Sequence, residues 1–290
     1  MILNGHRALL VGYWAFGAAA KCFRIALREV LRQMIKGVLL DLDGTVYFED
    51  RQVPGAARFV NWLDEAGILY LFVTNRSNRP PLEVCEHLRS YGIRCNPDQV
   101  LTSGQATAEY LGGGKVFCIG EAGLDLAMNE AGLEITDDRP DYVVVSFDRG
   151  FTYEKLKKAC ALIHAGARFI ATNPDKALKI EGGISPGTGA IVAAVAAGCG
   201  EEPVVVGKPG RLIFDIGVRR LGLARESVVA VGDNIETDVA AGINARIRTA
   251  LILTGITTRE EADRASARPD WVVGDYAELR SAIETELENP

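Results

Sequence analysis

The 290-residue chain has no C-x-x-C pair, no G-x-x-x-x-G-K-[ST] motif, no internal repeat and no low-complexity tract. Its six cysteines (22, 85, 95, 118, 160 and 199) are too dispersed for a zinc site or a disulfide framework. That usage fits a reducing cytoplasm, and buried or half-buried thiols are expected for all six. Excess positive charge is also missing: the formal net charge is -6, which argues against a general nucleic-acid or anionic-membrane surface. The longest apolar run, Ala8–Ala20, has about 13 residues, against about 20 for a transmembrane helix. Three histidines, His6, His87 and His164, have no partner spacing, and the last two are expected on helix surfaces or in packing. Gly187-Thr188-Gly189 lacks the later glycine of a dinucleotide fingerprint.

What is present is apolar material, 48% of the chain, ample for a core. Residues 1–36 stand apart as an N-terminal extension. Behind the apolar run, Lys21, Arg24, Arg28 and Arg32 share one helical face, and Phe23, Leu27, Val30, Leu31 and Met34 another. A membrane-surface or partner helix, a packed extra helix, and upstream sequence translated ahead of a start at Met34 are all open readings.

From Gly37 short apolar runs alternate with helical stretches. Val38–Leu42, Ile68–Val73, Val100–Leu101, Val204–Val206, Val228–Val231, Thr249–Leu253 and Trp271–Val273 read as strands. Helices are expected over about 55–66, closed by Gly67, then after Pro80-Pro81, up to Leu111, before Gly222, and from Tyr276. Gly112-Gly113-Gly114 marks a boundary. A second alternating set follows, and Glu201-Glu202-Pro203 is the expected return point. The fold class is therefore α/β: a Rossmann-like, doubly wound parallel sheet (37–112 and 202–290) carrying an inserted smaller α/β domain (113–201).

Four expected strand ends bear reactive side chains: Asp41 with Asp43, Thr74, Lys208, and Asp233 with Asp238. Singly each is weak. Asp-x-Asp-Gly also occurs in solvated turns, although an EF-hand is excluded because the sixth-position Gly and twelfth-position Glu are missing. Gly-Lys-Pro alone is a turn, and Gly-Asp-Asn alone a helix entry. Together they matter, because one parallel sheet brings all four to one edge. Phosphoryl transfer wants such parts. A phosphate ester is anionic, so carboxylates can approach it only with a hard divalent cation, Mg²⁺, for which Asp41 and Asp233 are the candidate ligands. Lys208 supplies fixed positive charge. Thr74 offers a hydroxyl, and the Asn75 and Arg76 amides are expected to open the next helix as an anion site. Asp43 is placed to move the proton of the leaving alcohol and then of water.

Asp41-Leu42-Asp43-Gly44-Thr45, Thr74-Asn75, Lys208 and Gly232-Asp233-x-x-x-x-Asp238 resemble the four motifs of the haloacid dehalogenase superfamily. The insert of about ninety residues, Ala171-Thr172-Asn173-Pro174-Asp175, Pro186-Gly187-Thr188-Gly189-Ala190 and Val206-Gly207-Lys208-Pro209 resemble its NagD-like, p-nitrophenylphosphatase branch. The resemblance spans roughly 35–275. It implies Mg²⁺-dependent hydrolysis of small phosphate monoesters, such as sugar phosphates, with Asp41 as nucleophile and Asp43 as general acid and base. It further implies metal contacts from the Asp41 carboxylate, the Asp43 main-chain carbonyl and Asp233. Thr74, Asn75, Arg76 and Lys208 would bind the phosphoryl group, and Asp238 would orient Lys208 or metal-bound water. Residues 113–201 would form a cap, through which relatives often pair as homodimers. In relatives the 173–183 loop reads the leaving group; some pyridoxal-phosphate phosphatases carry a His there, where this chain has Lys176-Ala177-Leu178. Arg76 departs from the commoner Thr-Asn-Asn form. It reads either as a solvated first-turn residue or, with Lys176 and Lys179, as added positive charge favouring substrates with further anionic groups. A phosphotransferase or mutase, a non-catalytic phosphometabolite-binding regulator, and a peripheral membrane or scaffold protein are the alternatives.

Overall fold

A computed structural model of the chain describes residues 34–48, 51–180 and 183–288, with 178–180 and 288 described by backbone alone. The readings for the N-terminal extension, apart from residues 34–36, and for the Lys179 side chain lie outside the described residues.

The chain opens with β1 (Gly37–Leu40), an antiparallel pair β2 (Tyr47–Phe48) and β3 (Arg51–Gln52), and α1 (Ala56–Ala66). Gly67, at φ 68°, closes α1 as expected, returning its amide to the Asp64 and Leu63 carbonyls. Next come β4 (Leu69–Thr74), α2 (Pro81–Ser90), β5 (Val100–Thr102) and α3 (Ser103–Leu111). A Thr102–Gln105 capping box starts α3.

An inserted unit follows: β6 (Lys115–Ile119), α4 (Ala122–Glu130), β7 (Glu134–Ile135), β8 (Tyr142–Val145), α5 (Tyr153–His164) and β9 (Arg168–Ala171). It continues through the hairpin β10 (Ala177–Ile180)–β11 (Gly183–Pro186), α6 (Thr188–Cys199) and β12 (Val204–Val205). The chain returns with α7 (Leu212–Leu221), β13 (Val228–Gly232), a π-helical turn at Ile235–Val239 and α8 (Ala240–Ala245). It ends with β14 (Arg248–Ile252), α9 (Arg259–Arg264), β15 (Trp271–Val273) and α10 (Tyr276–Glu288).

The larger sheet has the order β15-β14-β13-β1-β4-β5, parallel throughout. Strand order reverses beside β1, so the switch point lies between β1 and β13, where open α/β sheets bind ligands. Register carries the two acidic motifs to the same level: Leu40 faces Val231, and the Asp41 amide donates to the Val231 carbonyl (2.9 Å). Successive side chains of β1 enter opposite cores. Val38 and Leu40 pack under α1, α2 and α10, with Phe59, Leu63, Leu88 and Ile283. Leu39 packs under α7 with Ile213 and Phe214. Burial on both faces explains a strand with no polar alternation. The second core runs on without a break into Leu124, Met128, Val144 and Ile170 of the inserted unit, so the two units share apolar packing.

The second sheet, β12-β9-β8-β6-β7, is also parallel. Here one expectation is corrected. Val204 and Val205 do not resume the larger sheet after the 201/202 boundary but pair with Ile170 and Ala171 of β9. The pairing extends through Val206 N–H to Ala171 O and Gly207 N–H to Thr172 O (3.0 and 2.8 Å), which delivers Lys208 from the second sheet's edge. A second correction concerns cysteine. Cys85 and Cys95 form a disulfide and are not free thiols, whereas Cys118, Cys160 and Cys199 are free. The Arg89 guanidinium grips the Cys95 carbonyl (2.6 and 3.0 Å), folding the chain back onto α2 and bringing the two Cα atoms to 5.2 Å. Cys22 lies outside the described residues. His87 packs edge-on against Tyr47 and Tyr91, and His164 ends α5.

Candidate active site

Asp41 and Asp233 leave the adjacent strand ends β1 and β13, and both are buried. The Thr45 hydroxyl lies between them, 3.2 Å from Asp41 Oδ2 and 3.3 Å from Asp233 Oδ1. Its own carbonyl accepts from the buried Tyr276 hydroxyl of α10 (2.8 Å). The Ile256 amide donates to Asp233 Oδ2 (2.6 Å). Gly44, at φ 85°, passes so close that a Cβ there would collide with the Asp233 carboxylate, as would one at Gly255. Two backbone segments thus close around Asp233 without side chains between them.

Lys208 is buried with its ammonium on three acceptors: Asp41 Oδ1, Asp238 Oδ1 (2.6 Å) and the Val73 carbonyl (3.3 Å). Asp238 comes from the π-helical turn, and its Oδ2 also accepts from the Asn234 amide (3.2 Å). Burial pulls the lysine toward neutrality, but Asp238 and Asp41 outweigh it and hold the pKa above its ordinary value. Burial raises the Asp41 pKa well above the usual carboxylate value; Asp238 and Asp233 add to this, and Lys208 opposes it. Asp233 is pushed up to about 6 by burial and by Asp238.

Carboxylate oxygens of Asp41, Asp233 and Asp238 all lie within 4.8 Å of one another. Fully ionised, the three carboxylates would outnumber the one ammonium by two charges in a buried site, an excess that already raises the Asp41 and Asp233 pKa values. A hard divalent cation has the charge and oxygen preference to relieve that excess, so the donor set fits one.

Asp43 stands apart from this cluster. Its carboxylate is half-exposed and held by two hydrogen bonds from Arg76, Nε to Oδ2 (2.9 Å) and an Nη to Oδ1 (2.6 Å). Neither sequence reading of Arg76 anticipates this bidentate ion pair. The expected helix start at Asn75 and Arg76 is also corrected. Residues 75–80 form a loop, α2 begins at Pro81, and the Arg76 amide is spent on the Thr74 hydroxyl (3.1 Å). Pro80 and Pro81 explain the delay, since proline biases the preceding residue away from helix. Asn75 turns its side chain onto Lys208 and Asp175. Lys176 is exposed.

Two residue groups escaped the sequence reading. Thr45 was visible as the hydroxyl closing the Asp-x-Asp-Gly turn. Asp175 lay in a quoted segment, but nothing in its spacing reveals that it reaches Asn75.

Residues 38–134 match the haloacid dehalogenase-like hydrolase family, and residues 205–279 match a HAD-hydrolase-like family. The chain is 41% identical over 258 residues to an acid sugar phosphatase of Staphylococcus haemolyticus, covering 87% of this chain and 97% of the relative. The chain belongs to the haloacid dehalogenase-like hydrolases. Within them this phosphatase stands in the NagD and p-nitrophenyl phosphatase branch. It is 40% identical to the 5'-nucleotidase YutF of Bacillus subtilis, over 84% of this chain and 96% of that one. The p-nitrophenyl phosphatase of Archaeoglobus fulgidus superposes with a TM-score of 0.82 at 38% identity, covering 86% of this chain and 99% of the other. NagD from E. coli superposes with a TM-score of 0.81 at 33% identity, covering 84% and 98%.

Proposed function

We propose that this phosphatase hydrolyses small phosphate monoesters, sugar phosphates or 5'-nucleotides, through an aspartyl-phosphate on Asp41. The observation that carries the reading is Lys208, anchored from the second sheet, with its ammonium between Asp41 and Asp238 and with Asp233 alongside. Relatives named for sugar phosphates and for nucleotides support the substrate class.

An Asp41 carboxylate oxygen attacks phosphorus, and the bond from phosphorus to the ester oxygen breaks. Asp43 gives its proton to the departing alkoxide, so an alcohol leaves. Asp43 then takes a proton from water as that water attacks phosphorus. The bond from phosphorus to Asp41 breaks, and orthophosphate and the free carboxylate result. Lys208 opposes the rise in the Asp41 pKa, favouring the carboxylate, and offers charge to the phosphoryl oxygens. Asp41, Asp233 and the Asp43 main-chain carbonyl would hold Mg²⁺, with Asp238 close to that set; bound there, the ion would neutralise charge on phosphoryl oxygens. Thr74 and Arg76 would contact the phosphoryl group once Arg76 exchanges its bond to Asp43 for the substrate.

Residues 113–201 with β12 act as the cap that excludes water and macromolecules. Homodimerisation through the cap belongs to the same proposal, and light scattering coupled to gel filtration tests it. Cytoplasmic residence is supported by the free Cys118, Cys160 and Cys199. Alkylation of protein trapped at lysis tests it, with Cys118, Cys160 and Cys199 expected to label as free thiols.

Orthophosphate release from p-nitrophenyl phosphate and a phosphometabolite panel, with added alcohol as a competing acceptor, tests the reaction. Hydrolysis dominating transfer supports a hydrolase, and preferred transfer to the alcohol would make the protein a phosphotransferase.

A further inference from the structure

We propose that Asp175, which lies between β9 and the β10–β11 hairpin, is a positioning residue that sets the site of the Lys208 ammonium through the side chain of Asn75. The inference rests on the phosphatase reading of Asp41 and Lys208.

A primary amide has one acceptor oxygen and two N–H donors. Asn75 uses all of them. Its Oδ1 accepts from the Lys208 amide (2.9 Å), and its Nδ2 donates to the Lys208 carbonyl (3.0 Å). Nδ2 also lies 3.1 Å from both carboxylate oxygens of Asp175. An ionised carboxylate only accepts, so Asp175 holds the amide in the one orientation that serves both main-chain atoms of Lys208.

Asp175 is itself fixed. Its amide donates to Asn173 Oδ1 (3.1 Å), and its carbonyl accepts from the Gly189 amide at the start of α6 (2.8 Å). Asn173 Nδ2 and the Ser103 hydroxyl both donate to the Asn75 carbonyl (2.8 and 2.5 Å). Rigid partners therefore surround Asn75 on both sides. A lysine side chain is a point charge on a flexible stem, and the main-chain clasp decides where that stem begins. Partners one shell beyond the reacting groups typically matter by fixing orientation, and small misplacements are costly. The bland alternative is that Asp175 merely stitches the two units together. It predicts lost stability with turnover per folded molecule intact.

The test compares Asp175→Ala, Asp175→Asn, Asn75→Ala and the Asp175→Ala/Asn75→Ala pair, in kcat, KM and Tm, on p-nitrophenyl phosphate and two esters with unlike leaving groups. Asp175→Ala is expected to lower kcat about 10–100-fold by the same factor for every ester, with KM within about threefold. Asp175→Asn keeps an acceptor oxygen for Nδ2 and recovers most of the loss. The double variant is no slower than Asn75→Ala. Should the alanine variant not fold, Asp175→Ser removes the carboxylate without placing a methyl among polar groups, and the same expectation holds. A kcat within twofold of the parent, losses that multiply in the double variant, or a loss that differs between leaving groups would each overturn the inference. Asp41→Asn in parallel keeps the two levels apart. Turnover retained there defeats the phosphatase reading, whereas an inactive Asp41→Asn beside an unaffected Asp175→Ala defeats only the role of Asp175.

Discussion

Lys208→Met removes the cation that separates Asp41 from Asp238 and leaves buried carboxylates facing one another. Breaking a buried ion pair by deleting one partner costs about 3–5 kcal/mol. For a chain of this size that corresponds to a fall in Tm of about 6–20 °C, at about 2–4 °C per kcal/mol. The loss depends on pH with a definite sign. Asp41 and Asp233 already have raised pKa values in the folded protein, from burial first and neighbouring carboxylates second. Removing the lysine raises them further. A carboxyl whose folded pKa exceeds its unfolded one favours the native state at low pH, and that contribution disappears as pH rises from the unfolded toward the folded value. The variant should therefore lie close to the parent near pH 5 and fall furthest behind near pH 8. For each carboxyl the gap widens by at most about 1.4 kcal/mol per pH unit, and only between its folded pKa in the parent and in the variant, up to the total of about 3–5 kcal/mol. Equilibrium urea unfolding in EDTA at pH 5, 6.5 and 8 measures this, and adding Asp238→Asn to Lys208→Met should restore at least half of the loss at pH 8. A pH-independent loss, or no recovery in the double variant, would refute the charge arrangement described here.

Other expectations follow from the same geometry. Asp233, at about 6, makes the metal-free protein lose stability as pH rises from about 4 to 6, and Asp233→Asn should flatten that slope in thermal melts. Added Mg²⁺ should raise Tm at pH 7.5 by more than at pH 5, because protons compete for the ligands; equal shifts would remove the carboxylates from the metal site. Arg76→Ala should shift preference across a phosphate-ester panel away from esters bearing a second anionic group, and an unchanged ranking would count against contact between Arg76 and substrate. Leu40→Ala, in a fully buried strand, should cost about 2–5 kcal/mol in urea unfolding, and a loss under 1 kcal/mol would contradict the packing of β1.

The acidic edge was legible because short apolar runs ending in Asp41, Thr74 and Asp233 read as buried parallel strands, and such strands end together. The helix closed by Gly67 and the breaker at 112–114 were legible for equally local reasons. Val204 and Val205 were not, because two valines carry no record of which sheet they join; hydrogen bonds to β9 decide that. Thr258-x-x-Glu261, the capping box that opens α9, is an equally local signal. The Asp43–Arg76 ion pair, the Cys85–Cys95 bridge and the Asp175–Asn75 contact depend on loops folding back, and no periodicity reports them. Lys208 was recognised as a charge at a turn, but its delivery from the inserted unit became visible only with the sheet order.

The most direct measurement is rapid acid quenching during turnover of p-nitrophenyl phosphate, followed by peptide mass spectrometry. A hydroxylamine-labile phosphoryl group on Asp41, absent from Asp41→Asn, is the expected result. Phosphorylation of another residue, or an Asp41→Asn protein that still turns over, would contradict it.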